Sequence, residues 1–227
     1  MNIAEIVDIV LLSLRVALLA MIVSLPLAII VAKYLASDRP GRVLISALVH
    51  LPLVLPPVAT GYVLLVLFCP RGWIGETLNT LGIGIGFSWV GAALAAGVMA
   101  FPLLVRPIRL GMENVDPGLE EMAATLGSNR WRVFITVILP LAWPGVLAGT
   151  VLGFAKALGE FGATITFVSN IPGETQTLSL AIYTFLQSPG GDRTALALIG
   201  VSILISLIAV LGSELMLSRI EKKRTSR

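Results

Sequence analysis

Apolar residues in this chain come in long unbroken runs, where a water-soluble element would show alternation or a stripe along one helix face. Val16 to Ala32 carries no charge, and Leu11 to Leu14 extends it upstream past Arg15, which lies close enough to the end of the run to reach lipid headgroups. Val43 to Phe68 and Phe87 to Val105 contain no Lys, Arg, Asp or Glu. A fourth run, Pro140 to Val168, is interrupted by Lys156 and Glu160, and a fifth, Ala195 to Ser213, closes on Glu214. About 20 apolar residues in an α-helix cross a hydrocarbon core of about 30 Å. The pattern therefore predicts an all-α polytopic membrane protein, a single domain over 1–227. Its five membrane helices are expected at about 9–35, 43–68, 87–106, 140–168 and 194–217. An odd number of spans puts the termini on opposite sides.

Composition removes the soluble alternatives. Of 227 residues, 56% are hydrophobic and 13% charged, against about 25% charged in a soluble domain, and the mean hydropathy is +0.94. The pI near 9.4 would suit a nucleic-acid binder, but the placement of the cations gives them another meaning. Lys33, Arg39, Arg42, Arg106, Arg109, Arg130, Arg132, Arg219, Lys222, Lys223, Arg224 and Arg227 fall on one side of the expected spans, and Arg71 and Arg193 on the other. Loops rich in Lys and Arg stay cytoplasmic, so the N-terminus is expected outside and the C-terminus inside, with no nucleic acid as partner. Met1 to Val10 holds Glu5 and Asp8 but no cation, so it lacks the basic start of a cleaved signal peptide.

Several chemistries are short of residues. One cysteine, Cys69, cannot close an intramolecular disulfide, and one histidine, His50, cannot build a two-histidine metal motif. No Gly-Lys-Ser or Gly-Lys-Thr occurs, so the usual phosphate-binding loop is missing and nucleotide hydrolysis by this chain is not expected. Gly82, Gly84 and Gly86 are too closely spaced for a dinucleotide fingerprint and read as an outer loop.

The expected cytoplasmic loop 109–139 is too long to be structureless in a compact chain, and it reads as two short helices. Asp116 can cap the first, Pro117 fits its first position, and Glu120 and Glu121 lie near the positive end of its dipole. Leu119, Met122 and Leu126 share one face, Ala123 is small, and Gly127 stands where a left-handed residue ends a helix. Ser128 can cap a second helix that carries Trp131, Phe134, Val137 and Ile138 and ends at Leu139-Pro140. Composition alone would also allow an amphipathic hairpin lying on the inner leaflet.

Glu121-Met122-Ala123, Gly127 and Val137-Ile138-Leu139-Pro140 resemble, in sequence and spacing, the EAA loop of ABC-importer membrane subunits. Met122 departs from that pattern's Ala and Val137 from its Ile, both mild apolar changes. His50 to Tyr62 (HLPLVLPPVATGY) and Gly159 to Thr175 (GEFGATITFVSNIPGET) narrow the resemblance to molybdate ABC-transporter permease subunits, with sulfate and tungstate permeases as close alternatives. The resemblance implies a type I importer permease fold in the cytoplasmic (inner) membrane of a bacterium or archaeon. It also implies a second copy of the chain, a separate ATPase dimer that holds the ATP and Mg, and an external oxyanion-binding protein. No cofactor would then be bound by this chain. Glu120, Glu121, Met122, Ala123, Gly127, Leu139 and Pro140 become the expected ATPase-coupling residues.

Pathway candidates follow from the spans. Pro52, Pro56 and Pro57 should break the second span, which marks either a gate or a fixed kink. Lys156 and Glu160, four apart on one expected helix face, should pair, either as part of the moving interface or as a structural bridge. Gly145, Gly149 and Gly153 form a small-residue packing face, within one subunit or across a dimer. Thr177 to Leu186 is expected as a short amphipathic helix at the outer mouth. A secondary transporter or channel would favour internal repeats and more intramembrane ionisable groups, and a membrane-embedded enzyme would need a convergent catalytic cluster; neither is visible.

Overall fold

The computed structural model describes residues 3–70, 72–82 and 84–225; Met1, Arg71 and Arg227, named above, and Ile83 between Gly82 and Gly84 lie outside them. The described residues form helices and loops. Three helices are long and apolar enough to cross a membrane: α1 (Ile3–Ala36), α5 (Trp89–Glu113) and the Asp192–Gly212 part of α12 (Asp192–Thr225). Two bent pairs bring the number of possible spans to five.

The first bent pair replaces the continuous helix expected over 43–68. α2 (Arg42–Val54) and α3 (Pro57–Phe68) meet at 112°. A residue preceding proline is pushed out of the helical region. Leu55 before Pro56 has ψ 145° and Pro56 before Pro57 has ψ 133°, so two adjacent residues are extended and the helix stops. Pro57 then occupies the first position of α3, where its missing N–H costs nothing. Pro52 remains inside α2.

The fourth expected span, 140–168, is also divided. α9 (Trp143–Leu158) ends at Gly159, and α10 (Gly162–Val168) starts after Phe161, whose φ of −132° is not helical. At its other end α9 is bent by 70° from the helical segment Arg130–Leu141 that precedes it. The loop expected from 109 begins later, at Asn114, because α5 runs on to Glu113 and its last turn is closed by an Arg109–Glu113 ion pair of 2.7 Å.

Small residues set the packing. Helices in lipid gain no hydrophobic driving force from meeting each other, so they depend on close backbone approach. α5 supplies Ala92, Ala93, Ala96 and Ala100 to the core and α1 supplies Ala17, Ala20, Ala28 and Ala32. The two run parallel: Arg15 lies 3.7 Å over the Trp89 ring, and Gly97 faces Ser24. α9 runs antiparallel to α5, with Gly145 against Gly111 and Gly153 against Leu104. The glycine stripe of 145, 149 and 153 therefore packs within the subunit, on α5. Ile22, Ile30, Val63, Leu204 and Ile208 stay exposed, as lipid-facing side chains do.

Two short helices complete the chain. α4 (Trp73–Thr80), which the sequence reading passes over as loop, folds against the end of α3. α11 (Leu178–Leu186) covers the 177–186 segment, but as a packed helix. Leu178, Leu180 and Ala181 are buried, and Leu178 and Ala181 cluster with Ile9 of α1 and Leu198 of α12.

Candidate functional site

The loop between α5 and α9 is ordered by its own backbone. Asp116 Oδ1 accepts the Gly118 N–H at 2.8 Å, which starts α6 (Pro117–Thr125). At its other end Leu126 N–H donates to Met122 O and Ser128 N–H to Ala123 O, while Gly127 takes φ +81°, a conformation that favours glycine. The next helix is capped by Asn129, not by Ser128. Asn129 Oδ1 accepts the Arg132 N–H at 2.8 Å, so α7 (Arg130–Val133) starts one residue later than the serine would set it. A π-helical turn, Phe134–Ile138, joins α7 to α8 (Leu139–Leu141), which contains Pro140.

This loop presents apolar surface outward. Met122 is 65% exposed, Leu126 85% and Trp131 65%, while Glu120 and Glu121 are exposed beside them and Ala123 is half-buried. A self-contained loop would fold such side chains inward; an exposed apolar knob rimmed by charge is a surface suited to meeting another protein or the membrane. Behind it, Val133 and Phe134 are buried. A polar cavity of about 520 Å³ separates the loop from the end of α1; its lining includes Lys33, Asp38, Arg39, Glu120, Glu121 and Arg130. Lys33 Nζ lies 3.7 Å over the Phe134 ring and 4.3 Å over Trp131. Of the expected coupling residues, those from 120 to 127 thus lie together on α6 and its end, and Leu139 and Pro140 begin α8.

The pathway candidates converge elsewhere. Both helix breaks, 55–56 and 159–161, abut: a Cβ built on Gly162 would lie 2.8 Å from Pro57 Cβ, and one built on Gly61 would lie 2.5 Å from Ala163 O and 2.9 Å from Thr166 Cβ. The two strings 50–62 and 159–175 are therefore packed on each other through glycine. Lys156 and Glu160 do pair, at 2.5 Å, but not on one face of a continuous helix, since Glu160 stands in the break beyond α9. Its side chain is 1% exposed, and Oε1 accepts the Ala163 N–H at 3.1 Å, so one carboxylate holds Lys156 and caps α10. Non-helical backbone at membrane depth is tolerated where protein buries it or a wet cavity needs it; here both breaks share one location. Pro56 and Pro57 are exposed beside it, and Pro52 is half-buried on α2.

Beyond Gly162 the second string closes on itself. Thr175 Oγ1 accepts the Ile171 N–H at 2.9 Å and donates to Ser169 O at 3.1 Å, holding Ser169 at φ +65°. Asn170 Nδ2 donates to Thr184 Oγ1 at 2.6 Å, which ties this loop to α11. Sequence reasoning gives no role to Thr175 or Asn170, and a polar residue in a loop between spans carries no signal that it will be buried. His50 Nδ1 lies 2.7 Å from Ser46 O, inside its own helix. Cys69 is half-buried at the end of α3. Among the described residues no group of three or more His, Cys, Asp or Glu could hold a metal ion.

Residues 24–222 match the family described as the inner membrane component of binding-protein-dependent transport systems. The chain is 56% identical over 220 residues to the molybdenum transport system permease protein ModB of Escherichia coli K12, covering 96% of each. It is 56% identical over 214 residues to the Haemophilus influenzae protein of the same name, covering 93% of each. The membrane-protein fold is similar to that in a crystal structure of a bacterial ABC transporter involved in alginate import. The TM-score is 0.75 at 18% identity, over 97% of this chain and 81% of that one.

Proposed function

Because the chain belongs to the family of inner membrane components of binding-protein-dependent transport systems, we propose that it is the membrane-spanning subunit of an ATP-driven molybdate importer. The observation that carries this reading is the 56% identity over 96% of the chain to a molybdenum permease. In this reading a separate ATPase dimer, holding the ATP and Mg, docks on the knob of Met122 and Leu126. An external binding protein delivers the oxyanion, and two copies of this chain enclose the path. The N-terminus lies outside and the coupling loop in the cytoplasm.

The mechanism follows from stiffness. α6 is closed at both ends, by Asp116 and by Gly127, so force on its exposed face displaces it as a body instead of unwinding it. That displacement reaches α9 through α7 and α8, and α5 through the glycine contact of 111 with 145. The break at 159–161 allows α10, and α3 packed on it, to change angle relative to α9. Selectivity then resides mainly in the binding protein, because Lys156, the cation beside the paired breaks, is already neutralised by Glu160.

The test is uptake into vesicles holding this subunit, its ATPase and its binding protein, with radiolabelled molybdate competed by tungstate or sulfate. Molybdate and tungstate should compete at similar concentrations and sulfate only at far higher ones. A preference for sulfate overturns the cargo assignment.

A further inference from the structure

Besides its packing on α5, helix α1 is tied near its two ends to the coupling loop and to α11. Lys33, near the cytoplasmic end in the reading above, places Nζ 3.7 Å from the Phe134 ring centre and 4.3 Å from that of Trp131. The two rings stand edge to face at 6.2 Å and 81°, so their faces converge on one cation. Phe134 is 5% exposed, which makes it a fixed seat. The α1 end is itself held: Tyr34 OH donates to Pro40 O at 2.7 Å, folding the following turn back on the helix. At the other end Ser13, 2% exposed, donates from Oγ to Ile9 O and accepts the Leu178 N–H, both at 2.7 Å. Leu178 opens α11, and the first N–H groups of a helix have no partner inside it; Ser13 supplies one from 165 residues away. Between the two ties α1 is one helix of 34 residues, about 51 Å long, continuous through Pro26 and packed along α5.

We propose that Lys33 is a positioning residue of the coupling machinery: by gripping Trp131 and Phe134 it locks the second coupling segment to α1. A displacement of the loop then carries α1 and, through Ser13 and Leu178, the start of α11 at the opposite face. This rests on the importer reading of the loop. It adds a second route for force, independent of the covalent links of the loop to α5 and α9, and one that ends on α11.

The experiment compares wild type, Lys33→Met and Lys33→Arg, each assembled with the ATPase and binding protein in vesicles. ATPase retention, ATP hydrolysis and molybdate moved per ATP are the readouts. Lys33→Met keeps the length of the side chain and removes the cation; it should retain the ATPase and its hydrolysis but move roughly fivefold less molybdate per ATP, the low end of a coupling contact. Lys33→Arg, which still stacks on aromatic faces, should restore the ratio. A wild-type ratio in Lys33→Met overturns the proposal, as does loss of ATPase retention that Lys33→Arg does not repair, which would make Lys33 a plain support. If Lys33→Met does not accumulate, Ser13→Ala poses the same question from the other end: the ratio should fall, and an unchanged ratio overturns the proposal. Wild-type protein that neither retains nor needs an ATPase sinks the importer reading itself, before any variant is compared.

Discussion

Gly145 and Gly111 face each other across the α5–α9 contact, with no room for a side chain on Gly145 and little on Gly111. A Cβ built on Gly145 would lie 3.0 Å from Gly111 Cα and 2.5 Å from Pro107 O. Since backbone occupies the space, the neighbours cannot rotate away. Gly145→Val should separate the two helices and lower stability by about 1–3 kcal/mol or prevent accumulation. Gly200→Ala on α12, with nothing within 4 Å, should leave stability close to wild type. Melting of the detergent-purified variants, followed by gel filtration, checks both; equal loss in the two would mean that glycine itself, and not the contact, matters.

Gly127 poses the opposite case. It has open space around it and φ +81°, so a side chain meets strain and no clash, of about 1–2 kcal/mol. Gly127→Val should fray the end of α6 and abolish uptake while insertion and expression stay normal. Uptake at the wild-type rate in this variant counts heavily against α6 as a rigid contact.

The exposed knob predicts a separable defect. Met122→Asp or Leu126→Asp adds charge to side chains that touch little of their own chain, so melting should not move. If these residues fill a pocket in the ATPase, co-purification should fall by tenfold or more, as loss of about 1.4 kcal/mol or more from an interface centre requires. Undiminished co-purification in both variants would remove the knob from the interface.

Glu160 links two helices with one carboxylate. Glu160→Gln leaves Lys156 without its counter-charge, and should cost about 2–3 kcal/mol, less than the about 3–5 of a fully buried pair, because the Lys156 side chain is 30% exposed. Adding Lys156→Met should recover much of that loss. A double-mutant cycle on melting midpoints reads the coupling; additive effects would show that the ion pair is not what joins α9 to α10.

Much of this architecture was legible because lipid imposes long uncharged runs, and the runs around α1, α5 and α12 needed nothing else. The break between α2 and α3 was written in Pro56 and Pro57, although its 112° angle was not. The break at Glu160 was hidden, since an apolar run with single glycines reads as one helix, and nothing local announces that the Glu160 side chain turns to cap the helix ahead. Ser128 and Asn129 are equally able caps, and adjacent; Ser128 N–H is taken up in closing α6 on Ala123 O, and Asn129 Oδ1 accepts the Arg132 N–H. Lys33 read merely as one cation among those that set topology, because its aromatic partners lie about a hundred residues away in sequence, and only the fold brings Trp131 and Phe134 beneath it.

The central claim is that the engine lies outside this chain. Molybdate accumulation inside vesicles, measured with the binding protein present and the ATPase either included or left out, tests it most directly. Uptake against a gradient should occur with the ATPase and ATP and be absent without them. Uphill uptake by the permease alone would contradict the account.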